Sequence, residues 1–182
     1  MRSWLLTSTY YGCWLPGDSR GSVTSVRDLR PHDPLSVVRI EHDIPGELYE
    51  EAMPELEDHA REVMRGPAVF LDRRHAEVLK KQFLETAQCR NWKIQAVAIM
   101  FNHFHMVVQV PDDPKPSTIL GDFKSYGSRA LTKRFGKPVS GTWWTYNGSK
   151  RKLKDVQAVA DAIFYVVKKQ PNPLLVWQSE SD

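Results

Sequence analysis

The chain contains 182 residues, of which 41% are hydrophobic and 26% are charged, as in an ordinary soluble globular protein. No apolar run approaches the roughly 20 residues of a membrane-spanning helix, and the N-terminal stretch lacks the apolar core of a signal peptide. The composition argues against a membrane protein, and we expect a single domain that resides in the cytoplasm. The net charge is only +3, but the charges are unevenly distributed.

The first predicted strand is the aromatic and apolar stretch WLLTSTYY, residues 4–11. It leads into the turn-forming sequence LPGDSRG, after which residues 22–45 are polar and interrupted by prolines. A short acidic helix is predicted over 55–64. This polar and acidic stretch separates the first strand from the first core helix, so we interpret residues 22–70 as an irregular acidic insert in one domain spanning 1–182.

Regular elements follow the insert. Apolar residues at three- and four-residue spacing predict a helix over 72–88. KIQAVAIM, residues 93–100, predicts a strand that turns through Phe101 and Asn102 into a second strand.

The C-terminal half continues the alternation. A helix is expected to begin at Ser117 as its N-cap, and GTWWTYNGS, residues 141–149, predicts a strand or hairpin. A last helix is expected from its N-cap Asp155 to about Lys169, before Pro171. The order of the first six elements predicts an α+β fold, a ferredoxin-like βαββαβ sandwich with an antiparallel sheet and an added C-terminal helix.

Two histidines lie one residue apart in the stretch IMFNHFHMVVQVP, residues 99–111. Because successive side chains of a strand point to opposite faces, His103 and His105 must share one face. The other face is apolar and consists of Phe104, Met106, Val108 and Val110. The pair is either two histidines on a partly solvated sheet face or a pair of metal ligands or acid–base groups that needs a third partner.

A long basic segment follows the histidine strand. From Lys115 to Lys154 there are ten Lys or Arg residues and one acid, whereas residues 41–65 carry nine acids and two arginines. Cations bind phosphates and aromatic rings stack on unpaired bases, so nucleic acid is the expected partner. The residues expected to contact DNA are Lys124, Arg129, Lys133, Arg134, Trp143, Lys150, Arg151, Lys152 and Lys154. Trp144 is the alternative to Trp143, since adjacent strand residues face opposite ways.

Tyr165 occupies a distinctive position on a wheel of the last helix, drawn at about 100° per residue. The apolar residues clustered on one side are Val156, Val159, Ala160, Ile163 and Val167. Tyr165 falls almost opposite this cluster, so we expect it to face away from the packed side. A tyrosine hydroxyl can attack a phosphodiester to give a covalent phosphotyrosine and a free 3′ hydroxyl. A divalent cation held by the histidine pair would polarise the scissile phosphate.

These features together resemble the single-tyrosine HUH transposases, in particular the REP-associated tyrosine transposases. Their motif strand reads Met-Pro-Asn-His-x-His-hydrophobic, and residues 102–106 match it directly, whereas Phe101 replaces the usual proline. The stretches that also resemble the family are YGCWLPGDSRG, ILGDFKSYGSRALTKRF and AIFYVVKKQPNPLLVW. The resemblance covers about residues 1–20 and 72–177.

The resemblance implies a ferredoxin-like fold and metal-dependent cleavage and rejoining of single-stranded DNA, with a preference for DNA hairpins. It implies that Tyr165 is the nucleophile, that its phosphotyrosine is linked to a DNA 5′ end, and that His103 and His105 bind Mg²⁺ or Mn²⁺. It also implies homodimers, in some of which the tyrosine helix serves the partner's site.

The third metal ligand departs from the family pattern. Many relatives have a polar ligand, often Gln, four residues after the tyrosine, where this chain has Lys169. A lysine ammonium offers no lone pair to a metal ion. Gln170 precedes Pro171, which disfavours the helical conformation at that residue, so its oxygen could swing towards the metal. We therefore predict Gln170 as the third ligand.

Two other functions are compatible with the sequence. One is a non-catalytic nucleic-acid-binding module on the same fold, in which the histidines contact phosphate. The other is a metal-dependent phosphodiesterase in which His103 and His105 act with an activated water. Neither alternative forms a covalent protein–DNA adduct, and both predict that Tyr165→Phe has little effect on function.

Overall fold

The computed structural model describes residues 1–20, 52–111 and 114–180. Its strands and helices are, in chain order, β1 (Arg2–Thr9), α1 (Pro54–Glu62), α2 (Arg73–Arg90), β2 (Lys93–Ile99), β3 (His103–Val110), α3 (Pro116–Phe135), β4 (Ser149–Leu153), α4 (Val156–Lys168) and β5 (Leu175–Gln178). The polar stretch 22–45 lies outside the described residues. Across the described ranges, no helix combines the length and apolar character needed to cross a membrane.

The chain divides into two compact units, one formed by Met1–Cys13 with Arg65–Asp182 and the other by Trp14–Met64. The second unit contains α1, which corresponds to the acidic helix predicted over 55–64. In the same unit the Asp18 carboxylate pairs with the Arg20 guanidinium. The hydrogen bond from Arg20 lowers the pKa of the Asp18 carboxyl below its usual value.

Five antiparallel strands form one sheet in the order β4-β1-β3-β2-β5. The first four strands of this order, connected through α2 and α3, form the ferredoxin-like βαββαβ arrangement expected from the sequence. The prediction of an α+β fold with an antiparallel sheet is therefore confirmed. β5, which no sequence pattern indicated, pairs with β2 and extends the sheet at that edge.

The two faces of β3 pack against different helices. Phe104, Met106 and Val108 are buried in the main hydrophobic core together with side chains of α2 and α3. Val107 faces the other way and belongs to a smaller apolar cluster with residues of α4. The alternation predicted for this strand is confirmed, and the histidine face is the face that α4 covers.

The helix starts follow local capping chemistry. Asp72 caps α2 and Asp155 caps α4, each through a carboxylate that accepts a backbone N–H. The expectation that Ser117 caps α3 is wrong, because the helix begins at Pro116 and its N-cap is Lys115. Proline is suited to the first helical position, because a backbone N–H there would have no hydrogen-bond acceptor within the helix.

The strand predicted over 141–149 is also wrong. β4 begins at Ser149, and the preceding segment meets β1 at an isolated bridge between Tyr10 and Trp144. Trp143 and Trp144 are both buried, 6% and 5% exposed, and both indoles donate hydrogen bonds to α3. Adjacent residues of a regular strand would face opposite sides, so packing of both rings on α3 excludes that conformation.

The buried face of α4 differs from the apolar stripe on the wheel. Its buried residues are Ala162 and Val166, whereas Val156 is 86% exposed. At about 100° per residue, Tyr165 lies within a quarter turn of this buried face. Tyr165 therefore lies at the border of the packed side of α4. The helical wheel had placed it opposite the packed side, and this prediction is wrong.

Candidate active site

The two histidines of β3 form a pair on the sheet face that α4 covers. Their ring centroids are 4.8 Å apart and the rings are nearly perpendicular. His105 is buried and His103 is half-buried. On the neighbouring strand β1, Thr7 lies opposite His105 and Thr9 lies opposite His103. The pair thus lies on the central strand of the sheet, at the N-terminal end of that strand.

The Nδ1 atom of each histidine has a polar partner. His103 Nδ1 lies 2.6 Å from Asn102 Oδ1, and His105 Nδ1 lies 2.6 Å from Thr7 Oγ1. A carboxamide oxygen only accepts hydrogen bonds, so Asn102 selects the His103 tautomer that has its proton on Nδ1. In that tautomer Nε2 carries the lone pair, as in metal-bound histidines whose other ring nitrogen is hydrogen-bonded.

Sequence reasoning did not identify Asn102 and Thr7 as orienting partners. The sequence placed Asn102 in the turn and in the family motif but gave it no role in orienting a histidine, although its position directly before His103 is a local signal. The Thr7–His105 contact joins residues far apart in the chain through the register of β1 and β3. The sequence contains no local pattern that identifies such a register.

The environment of His105 keeps its ring neutral. Burial lowers the pKa of His105 to about 3, and the nearby His103 adds to the shift. At neutral pH the ring is therefore neutral, with a proton on one nitrogen and a lone pair on the other. A neutral imidazole is the form that binds metal ions.

Tyr165 contacts one member of the histidine pair, His105, from α4. Its ring packs edge-on against the His105 ring, with the centroids 5.3 Å apart. The residue is 42% exposed, so its side chain is accessible to a bound molecule. Tyr165, the predicted nucleophile, is therefore in contact with His105, a predicted metal ligand 60 residues earlier in the sequence.

Gln170 lies just beyond the end of α4. Its Nε2 donates a hydrogen bond to the backbone carbonyl of Tyr165 at 3.2 Å. This bond orients the amide through its nitrogen, so the carboxamide oxygen is the atom with which Gln170 could bind a metal ion. Among the described residues, no group of three or more His, Cys, Asp or Glu side chains could hold a metal.

A shallow depression is lined by residues of α3 and of the segment that follows it. Its lining residues are Ser128, Arg129, Thr132, Lys133 and Lys137. Each of the two hydroxyl groups accepts a hydrogen bond from a buried indole N–H. A hydroxyl that accepts in this way still has its own proton to donate. The surface of the depression is mostly apolar, and the three cations lie along it.

The cations of β4 are divided between the two sides of the sheet. In the register with β1, Arg151 lies opposite Leu5 and shares the histidine face. Lys150 and Lys152 project from the other face, and the Lys150 ammonium donates to the Gly148 carbonyl. Lys154 is exposed just after the strand. The predicted basic segment is therefore not one continuous surface.

Two of the predicted DNA contacts have structural roles. The Lys124 ammonium donates to the backbone carbonyls of Thr145, Tyr146 and Asn147, which engages all three of its protons. Burial and the nearby Lys150 lower the pKa of Lys124 to about 8. Trp143 is buried and cannot stack on a base. These two predictions are therefore corrected: Lys124 supports the loop, and Trp143 packs in the core.

We expect Lys124→Met to destabilise the fold at pH 7, where the ammonium is still mostly charged. The free energy of unfolding should fall by about 1–3 kcal/mol, because three carbonyls lose a charged donor. Urea unfolding measures this, with Lys133→Met on the exposed side of α3 as the matched control. The control should change stability by less than about 0.5 kcal/mol. Equal effects of the two variants would contradict the supporting role of Lys124.

Residues 64–147 match the family model described as "Transposase IS200 like". None of the curated proteins matches the chain. A solved structure of a REP-associated tyrosine transposase bound to a REP hairpin is similar, with 11% identity and a TM-score of 0.47. The match covers 91% of this chain and 64% of that one, so the chain spans a little under two thirds of the length of that protein.

The segment that matches the family model, 84 of the 182 residues, includes both histidines of β3 and the whole of α3. Tyr165 lies outside it. Over this segment, the chain is similar to the IS200-like transposases.

Proposed function

We propose that the protein cleaves and rejoins single-stranded DNA through a covalent 5′-phosphotyrosine at Tyr165. The observation that carries the proposal is the contact between the Tyr165 ring and His105 within the oriented histidine pair. The match of residues 64–147 to the family model supports DNA processing of the transposase type. We propose hairpin DNA as the substrate, as the family resemblance implies.

The reaction conserves the number of phosphate ester bonds. The Tyr165 oxygen forms a bond to the scissile phosphorus, and the bond from phosphorus to the 3′ oxygen breaks. The phenol loses its proton and the leaving 3′ oxygen gains one, so the products are a 5′-phosphotyrosine and a free 3′ hydroxyl. Attack by a 3′ hydroxyl on the phosphotyrosine reverses these steps and rejoins DNA.

His103, His105 and Gln170 would hold a divalent cation, Mg²⁺ or Mn²⁺. Two imidazole nitrogens and an amide oxygen fit Mn²⁺ better than Mg²⁺, which strongly prefers oxygen ligands. When bound, the cation supplies positive charge that polarises the scissile phosphate. Asn102 contributes by keeping His103 in the tautomer that a metal requires, and Thr7 contributes by orienting the His105 ring.

We propose that the DNA backbone is bound by exposed cations of α3 and β4. They are Arg129, Lys133, Arg134, Arg151, Lys152 and Lys154, with Lys150 contributing charge at the edge of β4. Arg129 and Lys133 support this role, because both are exposed and line the same depression. We also propose that the protein acts as a homodimer, as the family resemblance implies.

Neutralising the β4 cations should flatten the salt dependence of DNA binding. We expect the variant with Lys150, Arg151, Lys152 and Lys154 changed to Gln to lose about 2 to 3 units of the slope of log K against log salt, at about 0.7 per contact. Fluorescence anisotropy with a hairpin that carries single-stranded flanks measures the slope. Neutralising Lys80, Lys81 and Lys93 provides a control that should leave it unchanged. An unaltered slope in the β4 variant would place the DNA surface elsewhere.

Incubation with a labelled hairpin DNA and Mn²⁺, followed by a denaturing gel, tests the proposed reaction. We expect a protein–DNA band that survives denaturation, together with a shortened strand that ends in a 3′ hydroxyl. Cleavage without the adduct would favour the phosphodiesterase with activated water. Binding with neither product would favour the non-catalytic module.

A further inference from the structure

Two phenylalanines form an exposed aromatic pair next to the candidate active site. Phe70 is 59% exposed and Phe101 is 50% exposed. Their ring centroids are 5.7 Å apart and the ring planes differ by 22°. Large aromatic side chains usually contribute to cores or interfaces, so a near-parallel pair left in solvent indicates a surface that binds a flat apolar group.

Backbone hydrogen bonds hold this pair in place. The Leu71 N–H donates to the Phe101 carbonyl at 2.8 Å, which joins the segment before α2 to the turn between β2 and β3. The turn itself is closed by a bond from the Met100 N–H to the His103 carbonyl at 2.9 Å. The Tyr10 N–H donates to the Asn102 carbonyl at 3.0 Å. Both rings are therefore attached to backbone that is ordered before any ligand arrives.

The pair lies within a short distance of the proposed metal ligands. Phe101 is two residues before His103, so their Cα atoms are at most about 7.6 Å apart, which is twice the spacing of consecutive Cα atoms. Asn102, between them, orients the His103 ring. A nucleotide whose phosphate contacts the histidine pair would therefore have its own base, or the adjacent base, within reach of the Phe101 ring.

An unpaired base fits this surface better than an apolar protein side chain. Proteins that bind single strands without sequence preference use aromatic rings as stacking surfaces next to cations that contact the backbone. The exposed Arg74, with 78% of its side chain accessible, follows closely in sequence. Its ion pair with Asp72 is a surface pair and therefore weak, so its charge is available to a phosphate.

We propose that Phe70 and Phe101 bind an unpaired nucleobase next to the scissile phosphate. The proposal rests on the proposed function, because it assumes that a single strand enters the site. The two rings position the strand, and Tyr165 performs the chemistry.

The test compares binding of a 20-nucleotide thymidine strand with binding of an abasic strand of equal length. Fluorescence anisotropy in EDTA, with Tyr165→Phe as the background, excludes cleavage. We expect Phe70→Ala with Phe101→Ala to bind the thymidine strand about tenfold more weakly, within the range for base–aromatic stacking. Affinity for the abasic strand should not change, because backbone contacts are intact.

Two single variants separate stacking from general apolar contact. Phe101→Trp keeps a flat ring and should retain the preference for the strand with bases, whereas Phe101→Leu should lose it. Equal losses on both strands, no loss on either, or full retention by Phe101→Leu would overturn the proposal. Conversion of a dimer to a monomer by the double variant, seen by sedimentation, would also overturn it and identify a second copy as the occupant.

The same experiments distinguish this proposal from the proposed function. If the wild type forms no covalent adduct with the labelled hairpin, the proposed function itself fails. If the wild type forms the covalent adduct and the double variant keeps its preference for bases, only the stacking role fails.

Discussion

Tyr165→Phe should abolish the covalent protein–DNA adduct while leaving DNA binding within about twofold of the wild type. The substitution removes only the hydroxyl group, and the ring contact with His105 does not involve that oxygen. Because the residue is 42% exposed, the stability of the fold should change by less than about 0.5 kcal/mol. A denaturing gel measures the adduct, and anisotropy measures the binding.

Tyr146→Phe is the matched control, because Tyr146 is the other exposed tyrosine next to the basic residues. It is 97% exposed, on the loop that Lys124 supports. We expect this variant to form the adduct at the wild-type rate. An adduct that persists in Tyr165→Phe and disappears in Tyr146→Phe would show that the nucleophile has been misassigned.

His103→Ala should reduce cleavage by about 10³-fold or more, since a metal ion contributes several kcal/mol to phosphate chemistry. DNA affinity should be largely retained, because it depends mainly on contacts between cations and the backbone. His103 is a better probe than His105, which is buried, so that its removal would leave a cavity. Single-turnover cleavage in Mn²⁺ measures the rate.

Direct Mn²⁺ binding, followed by electron paramagnetic resonance without DNA, gives a second measurement. Asn102→Ala should weaken Mn²⁺ binding by about 10–100-fold, as expected for loss of the partner that orients a ligand. Arg151→Gln lies on the same sheet face but has no ligand role, and it should leave Mn²⁺ binding unchanged. Normal cleavage by a variant with both histidines changed to alanine would refute the metal assignment.

The arrangement of β3 could be predicted from sequence because it depends on a local rule. Side chains of a strand alternate between two faces, and the apolar residues Phe104 and Met106 indicate which face is the core. The same rule does not hold at residues 141–149, where a strand or hairpin was predicted. There, Trp143 and Trp144 both pack on α3, and the resulting irregular backbone depends on tertiary contacts that no local pattern contains.

The orientation of α4 could not be predicted from its own residues. The wheel counted Val156 as core, whereas the helix packs through Ala162 and Val166. These residues form a cluster with the small side chains of Ala96 and Ala98 on β2. The shape of the sheet surface therefore selects the buried face of α4. This selection also places Tyr165 beside His105, a contact that the sequence suggested only through family resemblance.

Peptide mapping of the adduct tests the central claim most directly. Trypsin cleaves after Lys154 and Lys168, so residues 155–168 form one peptide in which Tyr165 is the only tyrosine. Tyr146 falls in a different peptide, residues 135–150, because the bond between Lys137 and Pro138 resists cleavage. After nuclease digestion of the adduct, we predict a nucleotide mass on the peptide 155–168, localised to Tyr165 by fragmentation. A nucleotide on the peptide 135–150, or on no tyrosine, would contradict the account.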